Sequence, residues 1–172
     1  MSSSTLDLSS PALRTLLSQS FSATLHRLRG VRNLLAGWAL MGPSSCDELK
    51  LQARLEEDRV LLARLSWIHQ GLMDPLSAID KEELPRVLLA ALLGFGTPEE
   101  SEMDLPQILD PQEVIAICTR IQTIASKAPV DFRGHRPQLC CKKGNFFFEL
   151  PKEWATESEH QFPVPPGTFS LE

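Results

Sequence analysis

The residue types that could do acid–base or nucleophilic chemistry are present in this sequence, but their spacing does not form a catalytic motif. None of the four histidines stands beside a serine or cysteine in a recognised nucleophile motif. Trp67 and His69 are two residues apart, so they cannot share one face of a helix. The acidic run 56–58 is flanked by arginines, which is typical of ion pairs on a solvated helix. These patterns favour a protein that is not an enzyme.

Metal and phosphate sites are also weakly indicated. Cys140 and Cys141, with His135 and His160 nearby, are the best candidates for zinc ligands. Zinc ligands usually come in pairs two to four residues apart, whereas adjacent residues of a strand point to opposite faces. The GFG at 94–96 resembles a fragment of a phosphate-binding loop, but the full glycine pattern and its lysine are missing. We therefore expect neither a metal nor a cofactor.

The composition is that of an ordinary globular domain, with 172 residues, 42% hydrophobic and 23% charged. The N-terminal stretch lacks the basic start and apolar core of a signal peptide, and the four cysteines show no regular framework. The longest apolar run, VLLAALLGF at 87–95, is far shorter than the ~20 residues of a membrane helix. These features favour the nucleus or the cytoplasm, without membrane insertion.

Charge is unevenly distributed along the chain, whose net charge is −5. Between residues 8 and 46 the only residues charged at neutral pH are arginines, whereas residues 80–113 are strongly acidic. The arginine-bearing segment should be attracted to an acidic surface, either of this chain or of a partner. The arginines are Arg14, Arg27, Arg29 and Arg32.

A long amphipathic helix is predicted after a flexible segment of residues 1–9. Ser10 can accept an orphan backbone N–H, and Pro11 has no N–H to leave unpaired. The Gly-Pro pair at 42–43 should end this helix, which is then about 30 residues or ~45 Å long. Its apolar stripe consists of Leu13, Leu17, Phe21, Leu25, Leu28, Val31, Leu35 and Trp38.

Two glycines lie inside this predicted helix. Gly30 and Gly37 should each cost roughly 1 kcal/mol relative to alanine. Either close packing against a neighbour compensates for this cost, or the helix bends or breaks near Gly30.

A second long helix should follow and form an antiparallel hairpin with the first. Ser45 and Glu48 have the spacing of a capping box, and we expect the helix to end near Gln70, with Gly71 in the left-handed conformation. The short connection makes the two helices antiparallel neighbours. The apolar stripe assigned to this helix comprises Leu51, Leu55, Leu62, Leu65 and Leu72, broadened by Leu61 and Ile68.

Further helices complete the predicted bundle of residues 10–128. The segment LPRVLLAALL is apolar on nearly every side, which places it in the middle of the bundle. Thr97 could restart a helix before an acidic connector. The last helix should begin at Asp110 and Pro111 and end before Pro129.

From residue 129 to the C-terminus the pattern changes. PQLCC and NFFFEL flank the loop KKGN, and these two runs predict a β-hairpin. A hairpin alone is only marginally stable, so it should pack on the bundle or on a partner. The Pro-rich end, HQFPVPPGTFSLE, is expected to be extended, either as a strap across the domain or as a free ligand segment.

The most informative feature for function is the apolar surface that this fold cannot cover. The first helix is longer than a compact bundle can bury, and three successive Phe cannot all face one core. Such surface is typical of protein interfaces. We therefore expect a non-enzymatic subunit or adaptor of an intracellular complex, whose partners are other protein subunits in a homo- or hetero-oligomer. The predicted binding residues are Arg27, Arg29, Arg32, Phe146, Phe147, Phe148, Trp154 and Phe162.

The alternative is a nucleic-acid-associated factor. Between residues 132 and 148 basic residues are interleaved with Phe, and aromatic faces beside cations can stack on bases. The protein as a whole is acidic and carries no named nucleic-acid motif. Binding to phosphates would weaken steeply as salt rises, whereas an apolar interface would barely respond.

Overall fold

The protein is mainly helical, and its helices form a bundle. Four α-helices are present in the described part of the chain: α1 (Pro11–Met41), α2 (Glu48–Met73), α3 (Leu84–Leu93) and α4 (Pro111–Lys127). The prediction of a helical bundle is therefore confirmed. The computed structural model describes residues 5–42, 44, 46–94, 108–127, 138–142, 145–149, 161–163 and 166–170.

Helix α1 is continuous over 31 residues. It begins at Pro11, as predicted, although the Ser10 side chain makes no capping hydrogen bond. It runs unbroken through Gly30 and ends at Gly42, whose φ of 92° only glycine adopts without strain. The question left open by the sequence, whether the helix breaks near Gly30, is thus answered.

Helices α1 and α2 form the predicted antiparallel hairpin. Leu17, near the start of α1, lies close to Gly71, near the end of α2. Farther along α1, Arg27 forms an ion pair with Glu57, which lies nearer the start of α2. A small apolar cluster lies beside the ion pair, and it consists of Leu28, Val31, Leu61 and Leu65.

Both predicted ends of α2 were wrong. The helix begins at Glu48 and is capped by Asp47, whose carboxylate accepts a hydrogen bond from the Leu49 N–H at 2.8 Å. It continues past Gly71 to Met73. Gly71 is buried inside the helix, and a Cβ on it would lie 2.6 Å from a Val87 methyl carbon. Its small size therefore serves helix packing rather than helix termination.

Helix α3 is the centre of the bundle, as its apolar sequence predicts. Every residue from 87 to 92 is fully buried, and α3 contacts α1, α2 and α4. Pro85 lies in the first turn, where its missing N–H costs nothing. The short 3-10 helix Leu76–Ala78 connects α2 to α3. Helix α4 contributes Val114, Ile117, Cys118 and Ile121 to the same core.

The segment before α1 contacts α4. The backbone N–H of Asp7 donates to the Gln122 side-chain oxygen at 2.8 Å, and Leu6 and Leu8 pack against the main core. Residues from Thr5 onward are thus held against the bundle, although the sequence predicts a flexible segment up to residue 9.

The described residues also include five short strands. Strand β1 (Ile108–Leu109) pairs antiparallel with β5 (Pro166–Ser170). A second sheet has the order β2 (Gln138–Lys142), β3 (Asn145–Glu149), β4 (Gln161–Pro163), all antiparallel. The runs predicted to form a β-hairpin fall within β2 and β3; the hairpin, and whether it docks on the bundle or on a partner, stay predictions. The predicted helix start at Thr97 lies outside the described residues.

Candidate interaction surface

The far end of the α1–α2 hairpin has no buried side chain among the described residues. The last buried residue of α1 is Val31, and the first buried residue of α2 is Glu57. We call residues 32–56 the hairpin tip. It extends beyond the small cluster that contains Leu28 and Leu61.

Large apolar side chains are exposed at and beside the hairpin tip. Among the described residues, Met73 is the only large exposed hydrophobic that lies elsewhere. Leu40 is 89% exposed and Leu49 is 76% exposed, values expected for a lysine rather than a leucine. The complete set at and beside the tip is Leu34, Leu40, Met41, Leu49, Leu51, Leu55 and Leu62.

The helical spacing sorts most of these residues onto two faces. Gly30, Leu34, Gly37 and Met41 follow one another at steps of four, three and four, so they share one face of α1. We call this the α1 glycine face. Leu51, Leu55 and Leu62 are separated by four and seven residues and share one face of α2, which we call the α2 leucine face.

A cluster of charges marks the boundary between the hairpin tip and the packed part. The Glu57 carboxylate accepts hydrogen bonds from Arg27 at 2.6 and 2.9 Å and also from Arg54. Burial raises the pKa of Glu57, but the hydrogen bonds and charges of Arg27 and Arg54 outweigh that effect, so the net pKa lies below its ordinary value of 4.5. Glu57 is therefore ionised at neutral pH and joins the two helices.

Arg64 is buried beside this cluster. Its Nε has no hydrogen-bond partner among the described residues. Burial, and next the repulsion from Arg27, lower the pKa of Arg64 to about 10, against the attraction of Glu57. The guanidinium remains charged at neutral pH, so this position places a partly unsatisfied positive charge in the hairpin.

The three predicted arginines divide into two that make ion pairs within the hairpin and one that is exposed. Arg27 pairs with Glu57, and Arg32 pairs with Asp58 at 2.7 Å. Arg29 is exposed on α1. The acidic surface that attracts Arg27 and Arg32 is thus on this chain, one of the two possibilities that the sequence left open.

Among the predicted aromatic anchors, Phe147 is the one whose side chain belongs to the described part of the chain. Phe147 is half-buried in β3, and in the backbone register Phe148 pairs with Phe162 of β4. Phe146 pairs with Cys141 of β2. Trp154 lies outside the described residues. The contribution of these residues to binding therefore stays a prediction.

Metal-binding and nucleophilic side chains are the candidates for a chemical site in the described part of the chain. This part holds no cluster of three His, Cys, Asp or Glu residues able to hold a metal ion. Burial raises the pKa of the Cys118 thiol to about 12, so this cysteine is an inert core residue. One shallow cavity between the start of α1 and residues 71–77 has Arg14 as its single ionisable lining residue, which leaves no acid–base pair there.

Sequence reasoning missed the α2 leucine face. It assigned Leu51, Leu55 and Leu62 to the packed stripe of α2, and the structure exposes all three. Of the residues assigned to that stripe, Leu61, Leu65 and Ile68 are buried, and so are Glu57 and Arg64. Leucines lie on several sides of α2, so their spacing did not separate the buried side from the exposed one. Glu57 and Arg64 are charged, so their residue types offered no reason to place them on the buried side.

The chain matches no family model, and comparison with curated proteins and solved structures finds no match either. Among the described helices, none has the length and apolar character needed to cross a membrane. The interpretation of this surface therefore rests on its own chemistry.

Proposed function

We propose that this protein is a non-enzymatic interaction subunit or adaptor of an intracellular multiprotein complex, and that it docks through the α1–α2 hairpin. The observation that carries the proposal is the exposure of large apolar side chains on both helices at and beside the hairpin tip, namely Leu34, Leu40, Met41, Leu49, Leu51, Leu55 and Leu62. Exposed apolar surface on this scale typically marks an interface.

The α2 leucine face has the geometry of a helix that binds in an apolar groove. Anchors at i, i+4 and i+11 are presented by one side of a helix, as in helix-in-groove recognition. Leu55 is 53% exposed and Leu62 is 42% exposed, so both retain apolar area for a partner. Burying such area stabilises a complex by roughly 25 cal/mol per Å².

The C-terminal Phe-rich region is proposed as a second docking element. Phe146, Phe147 and Phe148 form the centre of β3, and its neighbours β2 and β4 are also short. Large aromatic side chains are enriched at the centres of interfaces. Trp154 and Phe162 belong to this proposed element because of their apolar character in Pro-containing surroundings.

The test is affinity capture of the tagged full chain from cells, compared with two variants. One variant carries Leu51→Gln, Leu55→Gln and Leu62→Gln, and the other replaces Phe146, Phe147 and Phe148 by Ala. The matched control is Met73→Gln, because Met73 is 68% exposed and lies away from the hairpin tip. Circular dichroism should first show that all variants fold.

Specific proteins retained by the intact chain and the control, and lost from the Leu-to-Gln variant, would support docking by the hairpin. Loss from the Phe variant would support the C-terminal element in the same way. If no protein is captured stably and specifically by the intact chain, the proposal is wrong. Capture of nucleic acid that disappears as salt rises would instead favour the alternative function.

A further inference from the structure

The α1 glycine face carries two glycines for which the described residues offer no structural reason. Apart from the helix's own backbone, no described atom lies within 4 Å of an ideal Cβ at Gly30 or at Gly37. By contrast, a Cβ on Gly71 would overlap Val87. Each glycine inside a helix costs roughly 1 kcal/mol relative to alanine, and nothing within the described hairpin offsets this cost at Gly30 and Gly37.

Large apolar residues alternate with these glycines. Leu34 is 40% exposed and Met41 is 74% exposed, and both lie on the same face as Gly30 and Gly37. The face is therefore a row of hole, knob, hole, knob along ~16 Å of helix. A glycine lets a second helix approach closely and accept a large side chain above its Cα.

This row is self-complementary when two copies of α1 run antiparallel. If the two-fold axis passes between Leu35 and Ala36, then Gly30 faces Met41 of the second copy, and Leu34 faces Gly37 of the second copy. All four contacts place a large side chain over a glycine. A two-fold axis creates each contact twice, which is the usual way in which a homodimer interface forms.

The charge pattern of α1 selects the same antiparallel arrangement. Helix α1 carries no acidic residue, its arginines end at Arg32, and residues 33–41 are uncharged. Arg27 and Arg32 are already paired with Glu57 and Asp58 within each copy, but a parallel pair would align the exposed Arg29 with Arg29 of the other copy, which is repulsive. In the antiparallel register Arg29 faces the uncharged end of the partner helix instead.

The C-terminal end of α1 carries the partial negative charge of the helix dipole, which would attract a cation of the second copy. Helix α1 has no basic residue in its last turn, although cations are favoured at helix C-termini. The antiparallel register places Arg29 of one copy opposite Gly42 of the other, at that helix end. The acidic residues Asp47 and Glu48 follow at the start of α2.

From these observations we infer that the protein forms a two-fold symmetric homodimer through the antiparallel pairing of its α1 glycine faces. The seam has few layers and buries less than the ~1,200 Å² of standard stable interfaces. The dimer should therefore be reversible, and its population should depend on protein concentration. This inference goes beyond the proposed adaptor function, since the α2 leucine face takes no part in it.

The test is sedimentation velocity of the full chain over a wide concentration series. We expect a rise from monomer to dimer mass as concentration increases. Leu34→Glu should raise the dimer dissociation constant by at least about tenfold, because it places an unpaired charge over a glycine. Met73→Glu is the matched control, because Met73 is 68% exposed, lies away from the hairpin tip and should leave the dimer unchanged.

A charge-swap pair tests the register itself. Leu34→Glu and Gly37→Lys should each weaken self-association when alone. An equal mixture of the two variants should restore dimers, because the introduced Glu and Lys then face each other across the seam. Circular dichroism should show the same helix content for both variants.

Three results would overturn the inference. A wild-type chain that remains monomeric at every concentration would show that the dimer does not form. A dimer that persists unchanged in Leu34→Glu would show that another surface is used. A mixture of variants that fails to associate would show that the register is wrong. None of these results decides the adaptor proposal, which is tested through the α2 leucine face in a capture experiment.

Discussion

The two ends of the α1–α2 hairpin are built from the same residue types but have opposite environments. At the base, α1 and α2 enclose α3, whose residues from Val87 to Leu92 are fully buried. At the hairpin tip, Leu40, Leu49 and Leu55 are exposed. The difference is the number of neighbouring helices, because two helices alone cannot cover each other's apolar stripes. Stability should therefore reside in the base, and the tip should be free for binding.

The largest predicted difference in the free energy of unfolding is between a substitution at a base leucine and one at a tip leucine. We expect Leu88→Ala to lower the free energy of unfolding by about 3 kcal/mol, because it leaves a cavity in the centre of the bundle. Leu55→Ala should change it by less than about 0.5 kcal/mol. Urea unfolding followed by circular dichroism measures both values. Equal losses at the two positions would contradict the division between base and tip.

The charge cluster at the boundary should give the next largest effect. Glu57→Gln should destabilise the protein by about 2 kcal/mol, since it removes the negative charge and one of the two acceptor oxygens that Arg27 and Arg54 use in a partly buried site. Arg64→Met should be neutral within about 1 kcal/mol, because it removes a buried charge whose Nε is unsatisfied. A large loss for Arg64→Met would show that its charge is required. Thermal unfolding at neutral pH compares the two variants.

Gly71 and Gly37 should respond in opposite ways to substitution by alanine. Gly71→Ala should destabilise the base by about 1–2 kcal/mol, because the new Cβ overlaps Val87. Gly37→Ala should stabilise the monomer by up to about 1 kcal/mol, because the position is open and alanine favours the helix. Unfolding should be measured at low protein concentration, where the inferred dimer is dissociated. Destabilisation of the monomer by Gly37→Ala would indicate an unrecognised neighbour at the tip.

The smallest predicted effect is the loss, at low pH, of the stability that ionised Glu57 contributes. The pKa of Glu57 is lower in the folded protein than its ordinary value of 4.5. Its stabilisation is therefore fully present above pH 4.5 and is lost as the pH falls through the folded pKa. The difference in stability between the wild type and Glu57→Gln should shrink below pH 4.5. A difference that stays constant down to pH 2 would mean that the carboxylate charge contributes nothing.

The sequence predicted the elements better than their contacts. The start of α1 at Pro11 and its end at Gly42 were predicted because proline and glycine act on the local backbone. The start of α4 was predicted for the same reason. The inward face of α2 was predicted only in part: Leu61, Leu65 and Ile68 are buried, but the assigned stripe also included the exposed Leu51, Leu55 and Leu62 and lacked the buried Glu57. The arginine-rich character of α1 was evident, whereas the partners of Arg27 and Arg32 required the structure.

Several properties of this protein follow from the amino-acid sequence alone: a helical bundle, a long first helix, a central apolar α3, and more apolar surface than the fold can bury. These are set by local conformational preference and hydrophobic periodicity, which act over a few residues. The tertiary structure decided which leucines of α2 are exposed, why position 71 needs a glycine, and which carboxylates the arginines pair with. These depend on the position of a neighbouring helix, which no local pattern specifies.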